Sequence, residues 1–149
     1  MLNNYLENPP LAEDELMAAI DIGSNSFHLA IGRLDHGEVR KVVSMSEKVQ
    51  LAAGLDEHNI LNAAAVRRGL DCLSRFTARL DSVPPERVRI VATNALRQAK
   101  NADDFITRAN EILPKPIEII AGREEARLIH FGVSHTNASS DKRLVIDIG

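Results

Sequence analysis

Gly23-Ser24-Asn25-Ser26 is a run of small, hydrogen-bonding residues between two apolar segments, residues 17–22 and 27–31. Glycine lets a backbone approach a ligand closely, and hydroxyl and amide side chains add donors to the backbone N–H groups, as a phosphate oxygen requires. An ordinary turn uses the same residue types, so the stretch alone fits both readings. Asp21 stands just before the loop. A carboxylate repels phosphate, so Asp21 has a role there only with a divalent cation or an attacking water between the two anions. The tetrapeptide Ile20-Asp21-Ile22-Gly23 returns as Ile146-Asp147-Ile148-Gly149. Two such units suggest two related lobes that each lend a loop to one phosphate site.

Arg97 and the pair Glu124-Glu125 are the other residues with chemistry to offer. Arg97 follows a short apolar segment that ends at Thr93, on the side where open α/β sheets place ligands. A guanidinium there can grip phosphate in bidentate fashion, or it can be a plain surface arginine. The two glutamates lie near the start of a helix, where carboxylates are favoured by unpaired N–H groups whatever else they do. Spacing separates them. Glu124 has Arg127 three residues on, whereas Glu125 is followed at three and four positions by Leu128 and Ile129 and so sits nearer the packed face. Partial burial would raise the pKa of Glu125 and suit it to accept a proton from water.

Composition narrows the classes. A chain of 149 residues, 44% hydrophobic and with a net charge of −3, can bury one sizeable core and lacks the basic surface of a nucleic-acid binder. Four Phe, one Tyr and no Trp give no stacking ladder for single strands. The single cysteine, Cys72, excludes an internal disulfide and lies in an apolar helical stripe, where a structural thiol is expected. No signal peptide or membrane-spanning apolar run is present, so a cytoplasmic protein is expected, with peripheral contact at the inner face of the membrane left open. His28 is expected to be a packed or hydrogen-bonded strand residue, because no second histidine stands at ligand spacing.

These residues need elements to position them. Residues 1–15 are polar, acidic and aperiodic, and read as a disordered or loosely docked tail. After the first two strands, Asp35-His36-Gly37 marks a hairpin turn into a third strand over 38–45, followed by an irregular connection over 50–60. Asn62 caps a helix carrying Val66, Leu70, Leu73, Phe76 and Leu80, which Pro84-Pro85 stops. The remainder reads as a strand over 87–93, a helix over 101–113 capped by Asn101, a strand over 117–120, a helix over 123–135 and a final strand over 144–148.

Four blocks in this order resemble the exopolyphosphatase and guanosine pentaphosphate phosphohydrolase family, a branch of the superfamily of actin, sugar kinases and heat-shock ATPases. They are Ala-Ile-Asp-Ile-Gly-Ser-Asn-Ser-Phe-His from Ala19, Ala-Thr-Asn-Ala-Leu-Arg-Gln-Ala from Ala92, Gly-Arg-Glu-Glu-Ala-Arg-Leu-Ile from Gly122, and Val-Ile-Asp-Ile-Gly from Val145. The resemblance implies an α/β fold, a ribonuclease-H-like, actin-type lobe whose mixed five-stranded sheet has three antiparallel strands followed by alternating helices and strands. It divides the chain into a tail (1–15), an N-terminal lobe (16–140) and the first strand of a truncated second lobe (141–149), a strand expected to be loose or paired with another chain.

The activity implied is magnesium-dependent hydrolysis of a terminal phosphoanhydride. Glu125 is then the catalytic base, and Arg97 with Gly23, Ser24, Asn25 and Ser26 holds the terminal phosphoryl group. Asp21 and Asp147 hold Mg2+, although Asp147 also fits a strand-end cap of the next turn. Inorganic polyphosphate is the substrate expected first, with guanosine pentaphosphate as the alternative and a noncatalytic regulator that binds either as a reading of another class. For the full-length protein a homodimer is expected.

Overall fold

The computed structural model describes residues 10–136 and 144–146. Its elements are β1 (Leu16–Ile22), β2 (Ser26–Asp35), β3 (Glu38–Lys48), α1 (Ala63–Thr77), β4 (Val88–Ala92), α2 (Asn94–Gln98), α3 (Ala102–Asn110), β5 (Glu118–Ile119) and α4 (Gly122–Thr136). They form one mixed sheet in the order β3-β2-β1-β4-β5. The first three strands pair antiparallel, as two hairpins must, whereas β4 joins β1 and β5 joins β4 in parallel through helical crossovers. This is the five-stranded, actin-type lobe expected from the sequence.

Alternation in the strands decides which face is covered. Ala18, Ile20 and Ile22 of β1, Phe27, Leu29 and Ile31 of β2, and Val88, Ile90 and Ala92 of β4 all point to one side and are buried. Helix α1 lays Ala65, Val66, Leu70, Leu73 and Phe76 on that side, and α3 adds Phe105 and Ala109. The rings of Phe27, Phe76 and Phe105 are fully buried. Each contributes about 1.5–3 kcal/mol of transfer free energy. Gly69 lets α1 ride directly on this layer, since a Cβ there would stand 2.7 Å from the Phe105 ring. The opposite face carries Ala19, Asp21, His28 and Ala30 and is not covered in the same way.

Asn62 caps α1 as expected, its Oδ1 accepting from the Ala65 N–H at 2.9 Å. Asn101 does not cap α3 with its side chain. Its amide instead exchanges two hydrogen bonds with the backbone of Leu61, at 2.8 and 3.0 Å, and ties the connection before α1 to the start of α3. The short helix α2 carries Arg97. Residues 10–15 are docked: Arg87 donates to Glu15 at 2.8 Å and to the Pro10 carbonyl at 3.2 Å, and the Asp14 N–H donates to Leu34. Residues 144–146 carry no strand hydrogen bonding and stand outside the sheet, with Leu144 and Ile146 exposed.

The edge strand β3 is fastened to α1 by Glu47, which accepts from Arg75 Nε at 3.0 Å. That hydrogen bond holds the Glu47 carboxyl below its ordinary value of 4.5. Burial pushes the Cys72 thiol beside it up to about 12, so it stays protonated and unreactive. A carboxyl depressed on folding adds stability that is complete above 4.5 and disappears as pH falls through the folded value. Glu47→Gln is therefore expected to lower Tm at pH 7, and its melting curve should converge on that of the unsubstituted protein as pH drops below 4.5. At Gly69, alanine gains about 1 kcal/mol of helix propensity but meets a ring that cannot retreat, which costs roughly 1–3 kcal/mol. Gly69→Ala should lower the urea midpoint without changing the m-value.

Candidate functional site

Parallel pairing brings three strand ends into one row. Ile22 of β1 is level with Ala92 of β4, and Ala92 is level with Ile119 of β5. The pairing continues one residue further: the Thr93 N–H donates to the Ile22 carbonyl at 3.3 Å, and the Ile120 N–H to the Ala92 carbonyl at 3.0 Å. Each chain leaves the sheet at this edge carrying candidate residues. Asp21 lies near the end of β1 with the loop after it, Arg97 follows β4, and Glu125 follows β5. With parallel strands about 4.8 Å apart, the β1 loop and the β5 end are separated by roughly 10 Å, with the end of β4 between them.

The loop proper is Gly23-Ser24-Asn25, because Ser26 already pairs within β2. It folds back tightly. A Cβ on Gly23 would lie 2.6 Å from the Ser26 carbonyl oxygen, so only glycine fits. The carbonyls of Ser24 and Asn25 accept from the Ala52 and Gln50 N–H groups at 2.9 and 2.7 Å. Asp21 points to the less covered face of the sheet and is half-buried, opposite His28 of β2. His28 is exposed there, which corrects the expectation of a packed strand residue.

Arg97 and Glu125 meet. The Arg97 guanidinium donates through Nη1 to the Ile120 carbonyl at 2.6 Å and to Glu125 Oε2 at 3.0 Å. Helix α2 carries Arg97 away from β4, and the Glu125 N–H bonds the Ala121 carbonyl at the start of α4, so both backbones are fixed. The Ile120 carbonyl is a partner that sequence reasoning missed. It lies 23 residues from Arg97, and no local pattern signals it.

Partners, not burial, distinguish the two glutamates. Their side chains are 31% exposed for Glu124 and 29% for Glu125, so the deeper burial expected for Glu125 is not present. Glu124 takes Arg127 in a two-bonded pair at 2.8 and 2.7 Å, as the spacing foretold. Arg127, with a further contribution from the charge of Arg89, holds its carboxyl below the ordinary range. Arg89 is itself paired with Glu118 on the less covered face, so the first turn of α4 lies on that side of the sheet. Glu125 lines a cleft of about 600 Å³ with Gly122, Ala126, Ile129, Leu144 and Ile146.

Asp147 lies outside the described residues. Among the described residues the one group of three that could gather round a cation is Glu13, Asp35 and His36, at the opposite end of the sheet, where Arg40 already pairs with Asp35. Asp21 is not part of such a cluster. No helix among the described residues is long and apolar enough to cross a membrane.

A mixed five-stranded sheet of this order with these crossover helices is an actin-type lobe. The chain belongs to the Ppx/GppA phosphatase family, whose pattern matches residues 30–149. It is 54% identical over 134 residues to a guanosine-5'-triphosphate,3'-diphosphate pyrophosphatase of Vibrio vulnificus, a match covering 90% of this chain and 27% of that one. A protein of the same name from Photobacterium profundum is 51% identical over 144 residues, covering 97% of this chain and 29% of its own. The chain thus spans little more than a quarter of the length of these relatives.

Solved structures agree. A Ppx/GppA family member from Aquifex aeolicus superposes with a TM-score of 0.75 at 28% identity, covering 81% of this chain and 40% of that one. An exopolyphosphatase from Cytophaga hutchinsonii gives 0.76 at 30%, covering 81% and 39%.

The tight loop makes a local prediction. Gly23→Ala should force Ser26 away and break the bonds from Gln50 and Ala52. Amide hydrogen exchange at Gln50 and Ala52 is expected to accelerate at least roughly tenfold while the α1 core amides hold their protection.

Proposed function

We propose that this chain is the phosphate-binding and base-bearing lobe of a phosphoanhydride hydrolase. The observation that carries the reading is the contact between Arg97 and Glu125, a phosphate-gripping cation and a general base, one strand from the β1 loop. Backbone N–H groups and side chains of Gly23, Ser24, Asn25 and Ser26 hold the terminal phosphoryl group, and Arg97 neutralises the charge that gathers on its oxygens. Glu125 orients a water and takes its proton as the water oxygen bonds to phosphorus. The bridging P–O bond breaks, and the leaving phosphate keeps the electron pair.

Asp21 suits the Mg2+ that the family resemblance implies, with Asp147 as a second carboxylate. Bound there, the ion would supply charge neutralisation on the phosphate oxygens. The cation also gives Asp21 a reason to stand beside an anion site. The remaining chemistry of a two-lobed site belongs to the rest of such a protein, and the division at residue 140 is part of this proposal.

Guanosine pentaphosphate is the substrate favoured by the names of the relatives at 51–54% identity. Inorganic polyphosphate, placed first on the sequence alone, is the second reading and is supported by the exopolyphosphatase from Cytophaga hutchinsonii. The deciding experiment is orthophosphate release with Mg2+ from each substrate, using this chain and a version extended to the relatives' length. Glu125→Gln in the extended protein should cut turnover by roughly 10²–10⁴-fold with substrate affinity held within a few fold. EDTA should abolish release. Binding of either ligand with no turnover in any form would replace the hydrolase with a noncatalytic regulator.

A further inference from the structure

The segment behind the β1 loop is itself held in place. Gln50 and Ala52 donate their N–H groups to the Asn25 and Ser24 carbonyls. The described peptides are all trans, so C=O and N–H of one unit point in opposite directions. Pinning the Ser24 and Asn25 carbonyls toward residues 50–52 therefore turns the N–H groups of Asn25 and Ser26 away from that segment. A phosphate oxygen needs donors turned outward in this way.

Gln50 makes its bond from a left-handed backbone, φ +54°, a conformation that residues with a Cβ disfavour. Arg68 of α1 holds it there. Its Nε donates to the Val49 carbonyl at 2.9 Å and its Nη2 to the Gln50 carbonyl at 3.3 Å. One planar guanidinium thus grips two successive carbonyls around the strained residue, a task that its fork geometry suits and a lysine cannot fully copy.

We propose that Arg68 is a positioning residue for phosphate binding: through Val49 and Gln50 it fixes the segment that orients the Gly23–Ser26 loop. The proposal rests on the reading of that loop as the phosphate site. Arg67 is the natural control, being the exposed neighbour on the same helix with the same charge.

The test is a titration of the 149-residue chain with tripolyphosphate, followed by amide shifts in 15N spectra and repeated in 0.5 M salt to screen bulk charge. Arg68→Met is expected to raise Kd about tenfold and to speed hydrogen exchange at Gln50 and Ala52, whereas Arg67→Met leaves both within twofold. Arg68→Lys, which keeps the charge and can reach one carbonyl, should fall between, and it carries the test if the methionine variant does not fold. Equal effects of Arg67→Met and Arg68→Met on Kd, or unchanged exchange at Gln50 and Ala52, would overturn the role of Arg68 and leave the loop reading intact. Absence of shifts at Gly23–Ser26 in the unsubstituted chain would instead remove the phosphate loop, and the role of Arg68 with it.

Discussion

The parallel pairing of β1, β4 and β5 is the constraint on which the site depends. Parallel strands run the same way, so their carboxyl ends share an edge, and the register that sets Ile22, Ala92 and Ile119 level puts the three departing chains side by side. Parallel neighbours cannot be joined by tight turns, and each crossover must travel over the sheet. Helix α1 and the segment before it, required by the crossover from β3 to β4, are therefore the material that covers the core and braces the β1 loop. Covering the core and holding the loop are tasks of one connection.

Burial on one face of the sheet supplies the rigidity that the edge needs. Phe27 is the first core residue after the loop, fully buried under α1 and α3, and Ile22 is the last before it. A three-residue turn clamped between two buried positions has little conformational freedom of its own. On the other side of the site the situation differs. Helix α4 leaves Phe131 55% exposed and, among the described residues, contributes none of the fully buried core, and Arg97 ties Glu125 to the segment that follows β4.

Much of this was legible in the sequence where one short-range rule governs. Apolar density marks β1, alternation marks β2, the 3.6-residue stripe marks α1, and the three-residue spacing pairs Glu124 with Arg127. The repeated Ile-Asp-Ile-Gly marked Asp21. What escaped were interactions that the chain makes with distant parts of itself. Asn101 looks like a helix cap, but Leu61 offers its side chain both a donor and an acceptor, and that pairing wins. The left-handed backbone of Gln50 has no glycine or asparagine to announce it. Burial of Glu125 was inferred from Leu128 and Ile129, yet α4 packs too lightly for helix position to set exposure.

Arg97 and Glu125 hold one another through a single guanidinium nitrogen. Nη1 carries both the bond to the Ile120 carbonyl and the bond to Glu125 Oε2, so neither of these contacts engages Nε or Nη2. On the proposed reading, an anion taken up by those nitrogens would compete with Glu125 for the same positive charge, and the more charge it carries the better it competes.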